Sequence, residues 1–187
     1  MHKIFIFLMM LSFQASTTTY FAQPVNFDAD ISIKNEEKLI SQGFISFRQE
    51  SFVYKTSQPY NQTIFSNNGK LLVQDDDFKQ VMIYENDNSF FLQELLYNKY
   101  PSEEIACPNT CFKLNPAQNS TFKEALISLN EEIIDWIRLE DIKGERIFIK
   151  FENFKFESSN ITYVVPQNYE IINNDWHNTI KRKPRPL

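Results

Sequence analysis

The sequence predicts a mainly β protein: an open antiparallel β-barrel, or strongly curved half-barrel, with one or two short covering helices. Three observations lead there. Apolar and polar residues alternate in short stretches almost from end to end, with the period of two expected of half-buried strands. The connections are short and polar, as at Asn67-Asn68-Gly69, Asp141 to Glu145 around Gly144, and Glu157 to Asn160. Such spacing gives the sequential hairpins of a meander and leaves no room for βαβ crossovers. One stretch departs from the pattern, Ser89 to Asn98, where Phe91, Leu92, Leu95 and Leu96 fall on one side at helical spacing.

Taken in order, Met1-His2-Lys3 and the apolar run Ile4 to Phe13 read as a secretory signal, with residues 1–22 set aside from the fold. The run is shorter than the roughly 20 apolar residues of a membrane-spanning helix. No cysteine follows it, so a lipidated mature N-terminus is not expected. Residues 23–175 are read as one domain. Its strands are expected over Phe27 to Ile33, Leu39 to Arg48, Phe52 to Thr56, Gln62 to Ser66, Lys70 to Gln74 and Lys79 to Tyr84. The helix follows, with Asn88 or Ser89 as its cap and Pro101 as its stop. Further strands are expected over Cys111 to Leu114, Thr121 to Leu129, Ile133 to Leu139, Arg146 to Phe156, Ile161 to Val165 and Glu170 to Ile172. Asn67-Asn68-Gly69 suits a tight hairpin, because φ > 0 is cheap for Gly and tolerable for Asn.

Charge and composition exclude several functions. The net charge is −5, one unit more negative without Lys3, which argues against binding nucleic acid by phosphate neutralisation. The exception is the tail, residues 176–187, where Lys181-Arg182-Lys183-Pro184-Arg185-Pro186 is either a solvated end or a patch for anionic lipid or an acidic partner. There is no Gly-x-Ser-x-Gly, no His-Glu-x-x-His and no phosphate-cradling glycine loop, and only 3 glycines occur. With His177 alone beyond the signal, histidine acid-base chemistry is not expected, and no enzyme, metal or cofactor is predicted. Asp75-Asp76-Asp77 reads as a solvated hairpin, since a calcium loop needs spaced oxygen ligands and a glycine turn. Cys107 and Cys111 read as a disulfide across a local loop; a metal pair would want further Cys or His ligands.

The chain is rich in aromatics, with 18 Phe and 8 Tyr. Alternation suggests an inner face bearing Phe44, Phe52, Tyr54 and Ile64, with Ile45, Phe47 and Val53 on the other. Both faces of the early strands are therefore apolar. One could pack on the core while the other meets a helix or partner, or the curved sheet could leave an oily hollow for acyl chains.

The run Ser41 to Val81 has a more specific order. A Gly-led strand at Gly43, Arg48 before a turn, the aromatic strand around Tyr54, Gln58-Pro59, the Asn-Gly-Lys hairpin at 68–70 and the strand end Gln80-Val81 resemble the outer-membrane lipoprotein carrier (LolA-type) family. The second half is similar to it in outline, at Phe112 to Pro116, Leu139 to Gly144 and Val164 to Tyr169. The chain departs from the family at Gln49, where Pro is usual, at Tyr54, where Trp is usual, and in having little room before Phe27 for an N-terminal lid helix. Either the apolar N-terminus is retained as that helix, or the chain is a divergent member with a different cover, which would allow another lipid or glycolipid as cargo.

The resemblance implies a periplasmic carrier, exported and without covalent chemistry. It would take acyl chains of lipoproteins from an inner-membrane ABC-type exporter to an outer-membrane receptor, most simply as a monomer. It implies that the stretch Phe91, Leu92, Leu95 and Leu96 helps close the mouth; on residues alone this helix could equally cover one end of the core. It also implies that Arg48 is a latch, bonding to the lid backbone when empty. The rival from another class is a secreted β-sandwich interaction protein with a filled core.

Overall fold

The computed structural model describes residues 19–20, 26–48, 51–67, 70–85, 92, 95–96, 100–116, 120–157 and 159–173. The 1–22 signal reading, apart from Thr19 and Tyr20, the 176–187 tail and Phe91 lie outside the described residues.

The described residues form one open, curved, 13-stranded sheet. The strands are β1 (Thr19–Tyr20), β2 (Phe27–Asn35), β3 (Lys38–Arg48), β4 (Ser51–Gln58), β5 (Gln62–Asn67), β6 (Lys70–Asp75) and β7 (Gln80–Glu85). They continue as β8 (Pro101–Ala106), β9 (Thr110–Leu114), β10 (Phe122–Asn130), β11 (Ile133–Asp141), β12 (Arg146–Phe156) and β13 (Glu170–Asn173). Their order across the sheet is β1-β8-β9-β10-β11-β12-β2-β3-β4-β5-β6-β7-β13. Two meanders are thus joined at β12 and β2, as the hairpin pattern predicts. One pair differs from the antiparallel expectation: β13 runs parallel to β7.

Three further differences follow, the first two with evident physical causes. β8, Pro-Ser-Glu-Glu-Ile-Ala, lacks apolar alternation; it lies near the sheet edge, where Pro at the first position of a strand is tolerated. Ile161 to Val165 has the alternation of a strand but is irregular backbone, because its Tyr163 packs flat on the sheet instead of extending it. The N-terminal strand β1 falls at Thr19–Tyr20 and pairs with β8.

Curvature comes from bulges. The ladder shifts register between Ile33 and Lys34, Gln42 and Gly43, Phe122 and Glu124, Ser128 and Leu129, and Glu152 and Lys155, and each bulge adds bend and twist. At Gly43 the backbones approach so closely that a Cβ would lie 2.0 Å from the Lys55 carbonyl oxygen and 2.8 Å from Thr56 Cα. Only glycine fits there.

Residues directly opposite in a ladder share a face. The registers place Phe27, Ala29, Ile31, Ile45, Phe47, Phe52, Tyr54, Ile127, Ile137, Ile149 and Phe151 on one inner face, and all are buried in a single cluster. β7 and β8 stand near opposite ends of the sheet. Between them in the chain, Leu92, Leu95 and Leu96, which are helical, and Tyr100 are buried in the same cluster.

Candidate functional site: an apolar inner face under a helical cover

The hairpin between β3 and β4 decides which side chains face inward. Arg48 pairs with Ser51, so Phe47 lies opposite Phe52 and Ile45 opposite Tyr54. Odd positions of β3 therefore share a face with even positions of β4. The expected grouping is corrected accordingly: Ile45 and Phe47 point inward with Phe52, Tyr54 and Ile64, while Phe44 points outward and is 41% exposed. Phe44 borders an outer hollow of about 420 Å³ with Asp30, Ser32, Lys55 and Glu152, charged neighbours that suit water better than acyl chains. Val53 is on the outer face as expected.

The inner face changes character along the sheet. Across β2 to β4 and β9 to β12 it is covered, and Phe52, Tyr54, Leu92 and Leu95 are almost wholly buried. Towards β5, β6 and β7 the row continues as Ile64, Val73 and Met82, with Leu71 and Tyr84 beside it. These five are only half-buried. They form an apolar wing of the inner face whose Ile64 and Leu71 pack against the buried cluster; the sequence reading singles out Ile64 alone. Alternation at Leu71/Val73 and Met82/Tyr84 is the signal that points to the rest.

Buried polar atoms on this face are few and matched. The Tyr54 hydroxyl lies 2.8 Å from Ser41 Oγ. Burial pushes the Tyr54 phenol above its ordinary value, a shift that the Ser41 bond partly opposes.

Arg48 lies on the outer face, 8% exposed. Its guanidinium donates to the carbonyls of Phe27 (2.9 Å), Phe47 (2.8 Å) and Ser159 (2.6 Å) and pairs with Asp28 at 3.0 Å. Ser159 opens a strap, residues 159–169, that crosses the outer face of β5 and β6. Tyr163 stacks on Phe65 with ring centroids 5.1 Å apart and donates its hydroxyl to Gln74 Oε1. Tyr169 donates to Asp76 Oδ1. That bond raises the Tyr169 pKa; burial chiefly raises that of Tyr163. These Arg48 partners belong to β2, β3 and the strap, not to the helical residues Leu92, Leu95 and Leu96.

Other candidates are placed as follows. Cys107 and Cys111 form a disulfide across the β8–β9 hairpin, with Cα atoms 6.0 Å apart. The Asp75 carboxylate accepts the turn amides of Asp77 and Phe78, and Asp76 is taken by Gln74 and Tyr169. Among the described residues no group of three His, Cys, Asp or Glu could hold a metal, and no helix is long and apolar enough to cross a membrane.

The described residues thus form a curved single sheet with an apolar inner face and a helical cover. No family model matches the chain. It is 23% identical over 140 residues, 67% of this chain and 67% of the other, to an outer-membrane lipoprotein carrier protein of Chromohalobacter salexigens. An uncharacterized conserved protein from Thermus thermophilus shares the fold, with a TM-score of 0.55 at 13% identity, over 81% of this chain and 91% of its own. A LolA superfamily protein from Nitrosomonas europaea aligns over 73% of this chain and 88% of its own, with a TM-score of 0.44 and 11% identity. The sequence likeness supports a divergent LolA-type member.

Proposed function

We infer that this protein is a periplasmic carrier that binds acyl chains of lipoproteins against the inner face of its sheet and shuttles them from the inner to the outer membrane. It takes cargo from an inner-membrane ABC-type exporter and passes it to an outer-membrane receptor, without covalent chemistry. The observation that supports this most is the half-buried wing of Ile64, Leu71, Val73, Met82 and Tyr84, continuous with the core face over which Leu92, Leu95 and Leu96 are folded.

Energetics suit transfer better than storage. A long acyl chain gains on the order of 10 kcal/mol on leaving water, at about 0.8 kcal/mol per methylene. In the closed form, three buried leucines cover the face. Lifting them costs about 1.5–3 kcal/mol each, so the cover offsets much of the cargo's gain and keeps binding reversible. Arg48 is the latch in this reading, with its grip on the strap, and Arg48→Leu is expected to load lipoprotein but fail to pass it on.

Displacement of a hydrophobic dye by a fatty acid or a triacylated peptide tests the reading. Saturable binding, weakened by Met82→Asp and unaffected by Phe44→Ser, is expected. Absence of saturable binding by the unaltered protein refutes it and favours a filled-core interaction protein.

A further inference from the structure

At the outer end of β12 a bulge turns two phenylalanines inward. Glu152 pairs with Asp30, yet Lys155 pairs with Asp28 and Phe156 with Phe27, so one residue is inserted. Asn153 takes φ 51°, a left-handed conformation that Asn tolerates, and its Nδ2 donates to Asp30 Oδ2 at 2.7 Å. Without the insertion, Phe154 and Phe156 would point to the outer face; bulges are a recognised means of re-aiming side chains.

The result is a single file of rings. Phe47 stacks on Phe27 (5.4 Å), Phe27 on Phe154 (4.5 Å), and Phe154 meets Phe156 edge-on at 5.5 Å. Phe27 and Phe47 are buried, Phe154 is half-buried and Phe156 is 54% exposed. The file thus leads from solvent into the buried cluster. Its exposed end is one ring between Lys155 and Glu157, far smaller than the roughly 800 Å² that each partner contributes to a stable protein interface. A linear apolar chain fits it.

We propose that Phe156 is the threshold residue at which an acyl chain first meets the protein, and that Phe154 and Phe27 guide it to the inner face. This rests on the carrier reading above.

Stopped-flow fluorescence with dansyl-undecanoic acid tests it, using the full chain with Phe156→Ala, Phe156→Leu and the outward Phe44→Ala as control. Association is expected to slow roughly tenfold in Phe156→Ala, from the lost apolar contact, and less in Phe156→Leu. Phe44→Ala should match the unaltered protein. Should Phe156→Ala associate as fast as Phe44→Ala while the unaltered protein binds saturably, the threshold role is overturned and the carrier reading survives. No saturable binding by the unaltered protein overturns both.

Discussion

Replacing Arg48 with leucine tests whether one outer-face cation holds the strap to the sheet. The guanidinium makes three bonds to main-chain carbonyls and one ion pair to Asp28, and its side chain is 10% exposed against 25% for Asp28. A hydrogen bond to a charged group is worth about 1.5–3 kcal/mol. Summing four of them overshoots, because Asp28 is partly solvated and leucine returns some apolar burial. Breaking a largely buried pair costs about 3–5 kcal/mol, and we expect the lower end, about 3 kcal/mol. With a urea slope of about 2 kcal/mol/M this moves the midpoint down by about 1.5 M. Hydrogen exchange should show residues 159–169 losing protection before β10 and β11 do. A midpoint shift below about 0.3 M, with unchanged exchange in the strap, would refute the reasoning.

Gly43→Ala should be poorly tolerated, losing about 3 kcal/mol or failing to fold, because its new methyl meets the Lys55 carbonyl and not a side chain that can swing away; yield and urea midpoint report it. Cys107→Ser with Cys111→Ser should cost only about 2 kcal/mol, since the loop closed is short, measurable by urea unfolding without reductant. Tyr54 holds its proton more tightly folded than unfolded. Its contribution is therefore complete below the ordinary phenol value of 10.0 and is lost as pH rises through the higher folded value. Tyr54→Phe should flatten part of the stability decline above pH 10 while costing about 1 kcal/mol at neutral pH through loss of the Ser41 bond.

The meander is legible because each hairpin leaves its mark in alternation and turn residues. What does not carry over is the facing from one strand to the next. Phe44 and Tyr54 are both even-numbered, but a hairpin pairing Arg48 with Ser51 reverses parity, so Ile45 is the residue beside Tyr54. Bulges do the same within a strand: no local composition announces the Asn153 insertion that turns Phe156 inward. The strap reads as a strand because Ile161 to Val165 alternates, and packing on a sheet asks for the same pattern as belonging to one. Arg48 stands out from its place before a turn; that its acceptor is Ser159, 111 residues away, depends on topology that no local window contains.

The parallel pairing of β13 with β7 bears on how the molecule behaves in a crowd. A sheet ending in a long free strand offers its unpaired amides and carbonyls to any neighbour and can seed fibres. Here Glu170–Asn173 pair with β7 and take up amides and carbonyls that a neighbour could otherwise use. For the carrier proposed above, whose apolar face would be uncovered in use, this pairing keeps the ladder from becoming a second adhesive.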